Sequence, residues 1–146
     1  MQKLIVPLQH HDLSHTPMDE VLISYEENWP KIHYRSFMSS YSNTPFFDYF
    51  SDDFRELLEK KQERLIDLNL SSMNFLFKCF QLKIKIDRTT EYTPFTAHDF
   101  RSLFHPKKEN EAALKYRQVF EEKNGFISNV SSLDLLFNHG NRINLK

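Results

Sequence analysis

The 146-residue sequence reads as a helix-rich α+β single domain, residues 1–146, with a small two- to three-stranded sheet. Three features point there. Lys3–Leu8, Glu20–Ser24 and Lys83–Asp87 are short runs of strand length and strand composition. The chain elsewhere carries apolar residues at helical spacing. Fourteen Phe and six Tyr supply an aromatic core that one domain of this length can close without staples.

Each element has its own signal. Pro7 pushes the first run toward a sheet edge, because proline cannot donate to a ladder. His10 to Pro17 reads as a polar loop. Asn28-Trp29-Pro30 starts a helix, since Asn can cap and Pro fits a first turn whose N–H groups have no intrahelical partner. In that helix Trp29, Ile32, Ser36, Phe37 and Ser40 share one face, with Lys31, Tyr34 and Arg35 on the other. Ser42 to Pro45 interrupts it, and a short aromatic helix follows from Phe46 to Phe50. Ser51-Asp52-Asp53 looks like a new N-terminus, opening a long helix from Asp53 to Phe80 with a break near Lys61. Lys83–Asp87 alternates as a half-exposed third strand. Ala97–Phe104, Glu109–Phe120 and Leu133–Asn138 read as the remaining helices. Ser131 and Asp134 have the spacing of a capping box, Asn124-Gly125 marks a turn, and Gly140 sits where a helix-ending glycine belongs.

Composition excludes several functions. Only two glycines are present, so neither a Walker loop nor a dinucleotide fingerprint can be built. A net charge of −1 gives no basic excess for nucleic acid. No apolar run approaches the roughly 20 residues that span a bilayer, so no membrane insertion is expected. Cys79 is the single cysteine, which fits a reducing, cytoplasmic setting. The sequons at Asn69 and Asn129 are then chance matches. No metal and no cofactor are expected, and oligomeric state is left open.

The candidate chemistry is sparse. His10, His11 and His15 lack the cysteines or clustered carboxylates that would complete a metal site, and solvated loop histidines are the favoured reading. Cys79 lies on an apolar helix face with Phe75 and Leu76 and reads as a core residue, not a nucleophile. His33, Arg35, Tyr41 and Asn43 gather near the end of one helix and its turn. Arg offers a planar fork for a carboxylate or phosphate, and His can shuttle protons near neutral pH. Helix packing, with Arg35 paired to an acid, explains the same spacing. Asn129, Asp134 and Asn138 are polar positions in a leucine-rich segment, and capping or buried hydrogen bonding accounts for them at least as well as catalysis.

Several strings, taken in order, resemble the WbqC-like protein family. Trp29-Pro30 with His33-Tyr34-Arg35-Ser36 resembles its tryptophan–proline and "HWRSI" helix. Ser40 to Tyr49 (SYSNTPFFDY) is similar to "SAYGNSPFFEYY", and Asp67 to Leu70 to "DFNL". Asp99-Phe100-Arg101 with Pro106-Lys107-Lys108 resembles "DLR…PK". Tyr116 to Phe120 resembles "YxQVF", and Gly125 to Asn138 resembles "GFIPNLSILDLLFNEG". The chain departs from the pattern at Ser128, at His139 and over Asn141 to Lys146. It begins near the family's "LSIPI" strand, so the resemblance implies an N-terminally truncated member.

The resemblance implies a bacterial protein and suggests a transferase, one that adds glycine or another acyl group to a sugar or otherwise modifies sugars, in O-antigen or surface polysaccharide biosynthesis. An activated sugar or acyl donor would be its partner. On that reading Arg35 binds an anionic group, His33 is the acid or base, and Tyr41, Asn43, Asn129 and Asn138 position substrate. The alternative is a non-catalytic interaction module or remnant.

Overall fold

A computed structural model describes residues 3–9, 16–94, 96–99, 115–128 and 130–142. Its helices are α1 (Trp29–Tyr41), α2 (Phe47–Glu59), α3 (Leu65–Cys79), α4 (Glu121–Asn124) and α5 (Ser132–His139). The second of these is the hub, packing against α1, α3 and α5.

The expected sheet is absent among the described residues, so the α+β class is corrected to a helical one. Among the described residues there is no strand, only two isolated antiparallel bridges, Leu8 with Ile23 and Leu22 with Arg64. Around them Gln9 N–H donates to the Leu22 carbonyl at 3.0 Å and Ile23 N–H to the Glu63 carbonyl at 2.9 Å. The first two runs are thus paired, but each pairing stops before a ladder forms. Val21 and Ile23 are buried, and Ile23 packs into the helical core. Helices supply the cover that a wider sheet would have needed. Residues 83–87, expected as a third strand, have no strand partner among the described residues, and Ile84 is 54% exposed. Alternation describes a face that suits a sheet; it does not create a neighbour.

The first helix begins with Pro30 in its opening turn, as expected, but Asn28 makes no side-chain cap. Its inward stripe also differs from the expected face. Trp29, His33, Phe37 and Tyr41 follow one another at i+4. The Trp29 and His33 rings lie 5.1 Å apart, and the Phe37 and Tyr41 rings 5.9 Å. Tyr34 packs toward Phe54, whereas Ile32 is 46% exposed.

No boundary falls at residues 51–53; α2 runs through them. Phe47, Phe50, Phe54 and Leu58 form its buried stripe, each contributing about 1.5–3 kcal/mol by burial. The expected break near Lys61 is present. Lys60 turns extended, and the chain pairs with residues 21–23 before α3 begins. Leu68, Phe75 and Cys79 are the buried side of α3. Cys79 is therefore a core residue, and burial pushes its thiol up to about 11.

The helix expected over residues 109–120 is not formed where the chain is described. Residues 115–118 are non-helical, and only the single turn α4 follows. Gln118 explains the change: its side chain accepts from Ile127 N–H at 2.9 Å and donates to the Ile127 carbonyl at 2.8 Å. Gly125, at φ +71°, turns the chain between them. The helix expected over residues 97–104 lies mainly outside the described residues, and its first two, 97 and 98, form a turn.

Only half of the expected capping box closes α5. Ser131 Oγ accepts from Leu133 N–H at 3.3 Å, but the Asp134 carboxylate accepts from two tyrosines instead. Phe137 and Leu136 are 0% exposed and fill the centre of the molecule. Phe137 meets the rings of Phe37, Tyr41, Phe47 and Phe54.

Candidate functional site

A cleft of about 930 Å³ lies between the turn after α1, residues 115–126, and α5. Each wall has a local cause. Thr44 fixes the first: its hydroxyl donates to the Tyr41 carbonyl at 2.6 Å, leaving Asn43 exposed on the rim. The Gln118–Ile127 pairing fixes the second and places Tyr116 in the lining. The last wall is α5, which presents Asn138.

Behind the lining sits Asp134, buried and shared. Tyr41 donates its hydroxyl to Oδ1 at 2.9 Å, and Tyr116 donates to Oδ2 at 2.6 Å. Asn138 Nδ2 donates to the Asp134 carbonyl at 2.8 Å. Burial, then the Asp134 hydrogen bond, pushes the Tyr116 phenol up to about 12. The same two causes raise Tyr41. Both phenols are therefore neutral donors near pH 7, and the Tyr116 oxygen keeps lone-pair capacity toward a ligand. Lys115 and Arg117 stand with Glu121 and Glu122 in the lining. Arg117 reaches Glu122 at 3.4 Å, with both side chains almost fully exposed, so that pair is weak and easily exchanged for a ligand. Such a cleft can hold hydroxyl, amide and charged groups together.

The expected site residues divide. Asn43 and Asn138 line the cleft, and Tyr41 lies one layer behind it. His33 and Arg35 do not line it. They stand two residues apart on α1, on nearly opposite faces. His33 is 8% exposed, and its Nε2–H donates to the Ile5 carbonyl at 3.1 Å. Burial lowers its pKa, partly offset by that hydrogen bond. Arg35 is exposed and has no ion pair among the described residues. Asn129 and the loop histidines His10, His11 and His15 lie outside the described residues. Among the described residues no group of three or more His, Cys, Asp or Glu is arranged to hold a metal, and no helix is long and apolar enough to cross a membrane.

Sequence reasoning missed Tyr116 and Gln118 as parts of the site. The available signal was Asp134 itself, an acid between Leu133, Leu135 and Leu136 on a short helix, which requires donors from elsewhere in the chain.

A family model described as the WbqC-like protein family matches residues 1–112. No curated protein and no solved structure matches. The matched span includes the Asn43 wall and stops before Tyr116, Asp134 and Asn138.

Proposed function

The chain belongs to the WbqC-like protein family, and from that premise we propose that it is a transferase of surface-polysaccharide biosynthesis that receives an activated sugar or acyl donor in the Asn43–Tyr116–Asn138 cleft. One observation carries the reading. Three separate chain segments converge on one concave surface that mixes polar and apolar groups, backed by a carboxylate that fixes two phenols. Asn43 and Asn138 position the donor, and the Tyr116 oxygen accepts from one of its hydroxyls. Tyr41 and Asp134 are positioning residues, because they act through Tyr116. His33 ties residues 3–9 to α1 in this reading, and Arg35 stays outside the donor site.

Calorimetric titration with nucleotide sugars and aminoacyl donors tests it, followed by a transfer assay on hydroxylated sugar acceptors. Asn43→Ala and Tyr116→Phe should each weaken donor binding about tenfold, the loss of roughly 1.4 kcal/mol. Arg35→Ala should leave it unchanged. Failure of every donor to bind would reject the proposal. The second reading, a non-catalytic module, draws on the separation of His33 from Arg35. Donor binding without transfer would favour it.

A further inference from the structure

A second depression, of about 340 Å³, lies between the first turn of α2 and the C-terminal end of α5. That is within the roughly 300–1,000 Å³ range of small-ligand sites. Its α2 wall consists of Phe46, Tyr49 and Phe50. Tyr49 is 79% exposed and Phe50 is buried. Their rings meet edge to face at 4.7 Å, so the outer ring is braced by the inner one. The other wall carries His139, Asn141 and Arg142. Among the described residues, neither His139 nor Arg142 has an ion-pair partner.

Two further features favour an anion beside the rings. α2 starts without a side-chain cap, so its first turn, which supplies this wall, carries the uncompensated positive end of the helix dipole. Asp48, the acid of that turn, is exposed and does not line the depression. Aromatic faces with a guanidinium opposite suit a planar ring that carries a phosphate.

The depression and the donor cleft are lined by consecutive residues of the chain. Pro45 lines the cleft and Phe46 the depression; Asn138 lines the cleft and His139 the depression. A ligand spanning these consecutive residues would occupy both. We propose that the depression holds the mononucleotide portion of a nucleotide-activated donor, with its base on Tyr49 and Phe46 and its phosphate on Arg142. The inference rests on the donor reading of the cleft and narrows that donor's class.

Calorimetry with uridine and adenosine monophosphates, the matching nucleosides, inorganic phosphate and uridine diphosphate glucose tests it. The monophosphates should bind, with nucleosides and phosphate at least tenfold weaker. Tyr49→Ala and Arg142→Ala should each weaken monophosphate binding at least tenfold, and Asn43→Ala should not change it. The nucleotide sugar should respond to all three variants. Tyr49 and Arg142 are both exposed, and thermal melts followed by circular dichroism check the folding of their variants, with Arg142→Gln as the substitute if Arg142→Ala is unstable. No monophosphate binding, or binding indifferent to Tyr49→Ala and Arg142→Ala, overturns the inference. Nucleotide-sugar binding that needs Asn43 but not Tyr49 overturns it and leaves the donor reading standing. Monophosphate binding through Tyr49 and Arg142, with no contribution from Asn43 to the nucleotide sugar, supports the nucleotide site and rejects the donor cleft.

Discussion

Asp134 accepts from two phenols that arrive from opposite directions along the chain, Tyr41 and Tyr116. Removing the acceptor strands both donors. Asp134→Ala should therefore cost about 2–4 kcal/mol, more than Tyr41→Phe at about 1–2 kcal/mol, as read by urea unfolding. Buried neutral groups set an alkaline limit. Tyr116 is raised to about 12 and Cys79 to about 11, in both cases mainly by burial. A neutral form favoured by folding contributes stability that is complete below the ordinary pKa and is lost as pH rises through the folded value. The urea midpoint should fall as pH climbs from about 9 toward 12, and Tyr116→Phe should flatten the upper part of that fall. His33 works in the other direction. Its pKa is lowered by burial, so its contribution is complete above the ordinary histidine value and is lost as pH falls below that value through the folded one. Hydrogen exchange in residues 3–9, corrected for intrinsic rates, should rise between about pH 7 and 5 in the native chain and not in His33→Gln.

Among the elements, the two glycines separate backbone strain from crowding. Gly125 has φ +71°, with nothing within 4 Å of an added Cβ; Gly140 has φ +79°, and a Cβ there would meet the Phe46 ring at 2.9 Å. Gly125→Ala should cost about 1–3 kcal/mol from backbone strain alone. Gly140→Ala should cost more, and the excess should disappear in a Phe46→Ala background, as measured by a double-mutant cycle of denaturation midpoints. Helix signals were legible where a local residue decides the outcome, as with Pro30 in α1 and Gly140 after α5. They misled at residues 51–53, where Phe47, Phe50 and Phe54 keep one buried stripe and carry the helix across its polar side. They also misled at residues 115–118, where the Gln118 side chain bonds to Ile127 and holds the backbone out of a helix.

Across the whole molecule, Phe137 has the greatest leverage. It is fully buried where α1, α2 and α5 meet, in contact with four other rings. Phe137→Ala should cost about 3–5 kcal/mol, a large part of the roughly 5–15 kcal/mol typical of a domain, and thermal unfolding should report it. Composition, local spacing and ordered motifs were enough to establish the aromatic, helix-rich core, the break near Lys61, the core role of Cys79 and the resemblance that the family match supports. Other outcomes waited on the packed chain. Residues 21–24 found single bridges instead of a ladder, and residues 83–87 found no strand partner among the described residues. Packing brought Tyr41 and Tyr116 to one carboxylate, and it buried His33 while leaving Arg35 exposed on another face of α1. Partners distant in the chain are chosen by how helices close over one another, and periodicity within a segment carries no information about that closure.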